Sequence, residues 1–166
     1  MIKPASLRAA ITAAIPDVAT NPEKLTVFID SGLLAATAGC SLSFEYRYTL
    51  NVLLLEFAGD SDLLFVAILE WVREHQNDLV TNPDERERGI TYEIDILDNQ
   101  TADVSIKLML TESVVVKTAN DGTRTITHVD DSKKPDIVDW QWHADAPART
   151  LEEIASSGSD SGEPAA

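Results

Sequence analysis

The stretch SLSFEYRYTLNVLLLEF, residues 41–57, alternates apolar and polar side chains over most of its length. One face would carry Leu42, Phe44, Tyr46, Tyr48, Leu50, Val52 and Leu54, and the other Ser43, Glu45, Arg47, Thr49 and Asn51. A period of two predicts a strand that buries one face. From about Leu53 to Phe57 both faces become apolar, which predicts cover on both sides of that end. At about 3.3 Å per residue the stretch spans roughly 50 Å, so it should bend or extend past the core.

Two other segments repeat apolar residues at helical spacing. The first runs from Pro4, which suits a first turn, to Pro16, which suits a stop. Its apolar positions are Leu7, Ala10, Ile11, Ala14 and Ile15. The second helix is predicted for residues 61–76, with Asp60 or Ser61 as its cap. Its predicted buried stripe is Leu63, Leu64, Ala67, Ile68, Trp71, Val72 and His75, widened by Val66 and Leu69.

The remaining patterned segments are predicted to be strands. A short strand is predicted for LTVFID, residues 25–30, and a bend follows it. As one option, GLLAAT, residues 32–37, continues the strand after the bend. ITYEIDIL and VSIKLMLTESVVVKT alternate in the same way, and NDG at residues 120–122 marks a hairpin turn. The predicted fold class is α+β, in the order α-β-β-α-β-β with a C-terminal hairpin. Its sheet, mixed or mainly antiparallel, is expected to pack against two helices.

The character of the chain changes near residue 130. Residues 1–130 are predicted to form a globular domain. Residues 131–166 comprise a linker, the segment IVDWQWH and an acidic low-complexity end that is expected to be partly disordered. Trp140 and Trp142 share one side of that extended segment. They either fold back onto their own domain or anchor on a neighbouring chain, where the segment could also add a strand to a sheet edge.

The charge of the chain disfavours a nucleic-acid-binding face. Its 28 acidic residues outnumber 13 scattered Lys and Arg, and the net charge is −15. Binding a phosphate backbone needs clustered cations, so no specific nucleic acid is expected as a partner. Cys40 is the only cysteine, which excludes an intrachain disulfide and favours a reducing cytosol. No signal-peptide core is recognisable, and no apolar run approaches the roughly 20 residues of a membrane helix, so no membrane is expected.

Candidate chemistry is sparse. His75, His128 and His143 have no second ligand at a useful spacing, so no metal site is predicted. Glu93 and Asp95, with Glu45, could imitate a catalytic carboxylate pair, but ion pairing across strands with Arg47 explains the same residues. No phosphate-binding loop or nucleophile motif occurs, so no catalytic residue, cofactor or enzymatic activity is predicted.

Five residues are candidates for an interface with other chains: Arg47, Arg86, Arg88, Trp140 and Trp142. Arg86 and Arg88 belong to the run DERERG, which is either a solvated loop or a source of inter-subunit ion pairs. The tryptophans are candidates because aromatic residues are favoured at contacts between chains.

Several segments together resemble a known family. They are SLRAAITAAIP, NPEKLTVFID, SLSFEYRYTLNVLLLEFAGD, WVREHQ and NPDERERGITYEIDILDNQTADVSIKLMLTESV. In order and spacing, from about residue 2 to about residue 130, they are similar to the tail completion protein R family of temperate contractile-tailed phages and prophages. The family brings no catalytic residues, and nothing beyond residue 130 takes part in the resemblance.

The resemblance implies a structural virion protein that acts late in assembly. It would finish the head-proximal end of the tail, so that the tail can join a filled head. The element order is also similar, by analogy, to that of tail terminator proteins, which form hexameric rings. The implied partners are copies of itself and tail tube, sheath or neck proteins, with passive passage of DNA, first in the host cytoplasm and then in the virion tail. The alternatives are a soluble adaptor or chaperone that leaves the finished particle, and an enzyme with an unrecognised site.

Overall fold

A computed structural model describes residues 1–36, 41–98 and 100–132 of the chain. Contacts group Met1–Lys133 into one compact unit. The predicted tryptophan segment and acidic end, with the disorder expected there, lie outside the described residues.

Five helices and five strands follow one another in the described part. The helices are α1 (Lys3–Ala14), α2 (Pro16–Thr20), α3 (Ser61–His75), α4 (Asp78–Thr81) and α5 (Pro83–Arg86), and a 3-10 turn covers Pro22–Lys24. The strands are β1 (Leu25–Ala36), β2 (Phe44–Phe57), β3 (Ile90–Ile96), β4 (Ala102–Thr118) and β5 (Arg124–His128). Three short helices, α2, α4 and α5, are therefore added to the two that the sequence predicts.

All five strands belong to one antiparallel sheet, in which β1, β2, β4 and β3 lie side by side in that order. β5 pairs with the distal part of β4, so β3 and β5 share one edge of that strand. Just outside β3, the Met109 N–H donates to the Gly89 carbonyl at 2.9 Å. Just outside β5, the Val129 N–H donates to the Ser113 carbonyl at 2.9 Å. The α+β class and the antiparallel sheet are thus confirmed.

The helices α1 and α3 form one hydrophobic core with the sheet. Its fully buried side chains include Leu7, Ile11, Leu50, Val52, Leu54, Leu64, Val72, Ile106 and Leu108. These positions recur every three or four residues on the helices and every second residue on β2 and β4, as the two periods require. The indole N–H of Trp71 on α3 donates to Ser6 Oγ on α1 at 2.9 Å, which links the helices. The predicted alternation of β2 is confirmed from Tyr48 to Leu54 except at Asn51, which the pattern assigns to the polar face but which is only 4% exposed.

The helix α3 begins as predicted but buries a narrower stripe. Asp60 is its N-cap, and Oδ1 of Asp60 accepts the Asp62 N–H at 2.8 Å. The buried positions are Leu64, Ala67, Ile68, Trp71 and Val72. Leu63, Val66 and Leu69 are 61%, 51% and 42% exposed, so their predicted burial is wrong. The reason is that the core covers only the side of α3 that carries this narrower stripe.

The far end of β2 also differs from the prediction. Leu55 is 39% exposed, so the expected cover on both faces is wrong. Glu56 has φ of +48° where the register shifts, and the shift returns Phe57 to the buried face. β1 is one continuous strand, with a register shift between Ile29 and Ser31 near the predicted bend.

Candidate assembly surfaces

Glu112 on β4 is a carboxylate in the apolar register of a buried strand. Its neighbours on that face, Leu110 and Val114, are both 1% exposed, as is Glu112 itself. Oε2 of Glu112 accepts the Ile2 N–H at 2.7 Å, and Oε1 accepts the Lys3 N–H at 3.2 Å. A buried carboxylate needs such donors in place of water. Glu112 therefore binds the N-terminus of α1, whose partial positive charge favours an anion.

Two more side chains surround Glu112. Tyr48 on β2 donates its hydroxyl hydrogen to Oε1, and Nδ1 of His128 on β5 lies 3.6 Å from Oε2. Burial, and then the hydrogen bond to Glu112, raise the pKa of Tyr48 above its ordinary range, because both disfavour a phenolate. Tyr48 therefore donates to Glu112, which lies on β4 and links α1 and β2 by hydrogen bonds close to His128 of β5.

Lys3 and Gln76 form a second buried cluster beside the first. Nζ of Lys3 donates to Gln76 Oε1 at 2.6 Å and to Asp131 Oδ2 at 2.8 Å. The same Oε1 accepts the Thr111 N–H at 3.2 Å, while Nε2 of Gln76 donates to Asp78 Oδ1 at 2.8 Å. Gln76 therefore occupies the edge of β4 between β3 and β5. Together the two clusters hold the first residues of the chain against its last described residues.

Ser6 and His75 are hydrogen bonded in a way that resembles a nucleophile and its base. Ser6 Oγ lies 3.2 Å from Nε2 of His75, and Nδ1 of His75 lies 3.0 Å from the Trp71 carbonyl oxygen. The carbonyl can only accept, so Nδ1 carries the hydrogen and Nε2 accepts from the hydroxyl. The Trp71 indole already donates to Ser6 Oγ, and its ring stacks on His75 with centroids 4.6 Å apart. We interpret these contacts as structural, because they link α1 to α3.

A cleft of about 710 Å³ is bordered by β1, β2, β4 and the α4–α5 segment. Arg47 on β2 lines it and donates from Nε to Glu45 Oε1 at 2.6 Å. The Arg47 side chain is 61% exposed, and exposed ion pairs of this kind stabilise a fold little. Glu85 of α5 lines the same cleft, as do the exposed apolar side chains of Leu33 and Met109. Arg47 is therefore accessible to a partner that enters the cleft.

Of the other four candidate interface residues, the structure describes Arg86 and Arg88. Arg86 ends α5 and Arg88 lies in the loop that leads to β3, and both are exposed. The cleft thus brings Arg47 close to the segment that carries Arg86, through Glu85. Trp140 and Trp142 lie outside the described residues, and the assignment of all five residues to an interface stays a prediction.

The predicted ion pairing of Arg47 with the acids of β3 is wrong. Glu93 and Asp95 lie opposite Ser105 and Asp103 of β4. Arg47 pairs instead with Glu45 on its own strand, because its cross-strand neighbours are Leu33 and Thr111. The three carboxylates therefore do not form one cluster.

Both outermost strands of the sheet have a free edge. Among the described residues, β1 pairs only with β2, and β3 only with β4. The bond from Met109 to Gly89 fixes the alternation of β3, so the N–H and C=O groups of Tyr92, Ile94 and Ile96 point away from the sheet. Exposed apolar side chains accompany both edges: Phe28, Ile29, Leu33 and Leu34 on β1, and Tyr92, Ile94 and Ile96 on β3.

Reasoning from sequence missed Lys3, Gln76 and Glu112. Glu112 offered one signal, because it interrupts the apolar alternation of Leu108, Leu110 and Val114. Its donors Ile2, Lys3 and Tyr48 are 64 or more positions away in the chain, so no local pattern could identify them.

The described ranges hold no group of three or more His, Cys, Asp or Glu residues placed to bind a metal ion. Within the same ranges, no helix is long and apolar enough to cross a membrane.

Comparisons with known proteins agree with one another. The family model described as P2 phage tail completion protein R matches residues 1–132. Tail completion protein R of Escherichia phage P2 is 44% identical over 138 residues, which cover 83% of this chain and 88% of that protein. No solved structure matches the chain. The residues that the family model matches contain both buried clusters and both free strand edges.

Proposed function

Because this chain belongs to the P2 phage tail completion protein R family, we propose that it completes the head-proximal end of a contractile phage tail, so that the tail can join a filled head. The role in tail completion follows from the family itself. The observation that carries the proposal is the match over residues 1–132, which spans all elements of the fold instead of one short motif.

In this role the protein is one subunit of a closed ring, hexameric as in the tail terminator proteins, seated on the last ring of the tail tube. A sheet with a helix layer on one face and a free edge at each end gives a subunit two different flanks. Contacts between different flanks close into a ring when the rotation between subunits permits it. The net charge of −15 fits a channel that lets DNA pass without binding it.

The partners beyond the ring are tail tube, sheath or neck proteins. Arg47, Arg86 and Arg88 are exposed cations on an acidic molecule, and Arg47 lines the cleft between β1 and α5. We assign them to contacts with acidic groups of these partners, which would supply charge-assisted hydrogen bonds. Assembly then takes place in the host cytoplasm, and the protein remains in the virion tail.

Purified full-length protein, added to tails made in cells that lack it and then to filled heads, tests the proposal. We expect the protein to bind one end of the tail and to restore joining to heads. Arg47→Ala should weaken joining with no loss of folding, whereas Arg124→Ala, an exposed change on β5, should behave as wild type.

Two outcomes would contradict the proposal. A protein that binds neither tail ends nor neck proteins has no role in completing the tail end. A protein that restores joining but is absent from the finished particle would instead act as a soluble adaptor or chaperone.

A further inference from the structure

We infer that β3 of one copy pairs with β1 of the next, so that the sheet continues from subunit to subunit around the ring. The inference rests on the proposed function, and it names the contact that closes the ring. Both strands are edges of one sheet in the same molecule, and each leaves its outward backbone groups without a strand partner in the described part.

The outward backbone groups of β3 have no strand partner in the described part over the whole strand. The N–H and C=O groups of Tyr92, Ile94 and Ile96 point outward, whereas those of the alternate residues bond to β4. On β1, the alternation fixed by the bond from Met109 to Gly89 carries across β4 and β2, and it turns the groups of Gly32, Leu34 and Ala36 outward beyond the register shift. An added strand satisfies such groups by main-chain hydrogen bonds.

Apolar side chains accompany these groups on both strands. Tyr92 is 62% exposed and Ile96 is 80% exposed, and Leu33 and Leu34 of β1 are 61% and 56% exposed. Removing such side chains from water favours association. On the helix side of β3, the ring of Phe65 lies 4.9 Å from that of Tyr92 between centroids, yet Tyr92 stays 62% exposed.

Neither strand carries the basic or proline residues that commonly prevent an edge strand from pairing with another chain. Lysine, arginine and proline are all absent from LTVFIDSGLLAA and from ITYEIDI, although Pro and Lys are the common means of blocking an edge. Asp30 on β1, with Glu93 and Asp95 on β3, supplies only acidic charge. These like charges oppose pairing at low ionic strength, so association should strengthen as salt rises.

A second copy is the occupant that these features fit best. Pairing of β3 with another β3 would stop at a dimer and would leave the exposed apolar residues of β1 uncovered. Pairing of β3 with β1 gives both of these strands a partner in every copy of a closed ring, whereas β5, which pairs only with β4 in the described part, keeps its outer edge.

The test uses full-length variants, each with one changed residue on one of the two edge strands. Ile94→Lys places a charge on β3, and Leu34→Lys does so on β1. Leu63→Lys on the outer side of α3 is the control, since Leu63 is as exposed as Tyr92. Ile94→Pro removes one outward N–H and no bond to β4, so it tests the backbone contact separately.

Sedimentation and native mass measurement follow assembly at rising salt. Each edge variant alone should need about tenfold more protein than wild type to associate, because burying an unpaired lysine is unfavourable. An equimolar mixture of the two variants should stop at dimers, since only one contact joins an unchanged β3 to an unchanged β1. The control should assemble as wild type. Assembly of either edge variant as wild type, or dimers of the Leu34→Lys variant alone, would overturn the inference.

Complementation of a phage that lacks the gene tests the pairing of β3 with β1 even when rings form only on tails. We expect wild type and Leu63→Lys to restore infectious particles, and each edge variant to yield at least about tenfold fewer. Equal yields from the edge variants would reject the pairing of β3 with β1 while the proposed function stands. Failure of the wild-type protein to restore particles would reject the proposed function itself.

Discussion

Glu112 is the buried carboxylate on which four secondary-structure elements converge, and its replacement by alanine tests the fold most directly. The change removes the acceptor of the Ile2 N–H, the Lys3 N–H and the Tyr48 hydroxyl. Hydrogen bonds to a charged group contribute about 1.5–3 kcal/mol each, but water that enters the vacated space restores part of this. We therefore expect the free energy of unfolding to fall by about 3–5 kcal/mol, which is the order of two such bonds.

Equilibrium unfolding in urea, followed by far-ultraviolet circular dichroism, measures this loss. The midpoint should shift while the slope with denaturant is unchanged, as expected when stability alone changes. For a chain of this length the melting temperature should fall by roughly 6–20 °C. Glu70→Ala, an exposed change on α3, is the matched control and should stay within about 0.5 kcal/mol of wild type.

A double-mutant cycle shows whether Tyr48 acts through Glu112. Tyr48→Phe alone should cost about 1.5–3 kcal/mol, and in the Glu112→Ala background less than about 0.5 kcal/mol. A loss below about 1 kcal/mol for Glu112→Ala would refute the reasoning, because it would show that the carboxylate does not hold these elements together.

The remaining predictions concern single features of the fold. Gln76→Ala should lower the free energy of unfolding by about 2–4 kcal/mol, since it removes an acceptor of the buried Lys3 ammonium and of the half-buried Thr111 N–H; a urea midpoint equal to that of wild type would contradict this. Asp60→Ala should cost about 1 kcal/mol through loss of the α3 cap, whereas Asp60→Asn should keep most of the stability in the same assay. The pKa of Asp98 is lowered by backbone N–H donors in its turn. Its stabilising effect is therefore complete above the ordinary pKa near 3.8 and is lost as the pH falls through the lower folded value. This loss of stability should be missing when the unfolding of Asp98→Asn is followed from neutral to acid pH. Removal of residues 136–166 should leave the melting temperature unchanged but weaken binding to tail ends; early melting or aggregation would show that the tryptophans belong to the core of the domain.

The helical and strand repeats of apolar residues account for the elements that the sequence predicts correctly. The alternation of β2 and the cap and main stripe of α3 predict those elements correctly, because each pattern is local. Glu112 shows the limit of this reasoning. A charged residue in an apolar register marks a special position, but the chain folds Ile2, Tyr48 and His128 onto it from distant places.

The sequence overpredicts burial on the outer side of α3 for a related reason. Leu63, Val66 and Leu69 suggest a helix that is buried on more than one side, yet α3 has the core on one side only. A sequence shows which side chains are apolar but not whether its own chain or a second copy covers them. The same holds for β1 and β3, whose patterns predict strands but not that both are edges.

Localisation of the protein in finished particles tests the central claim most directly. Cryo-electron microscopy of virions that carry a tagged copy should show one closed ring of this protein at the head-proximal end of the tail tube. Particles in which the protein is absent, or lies at the opposite end of the tail, would contradict the account.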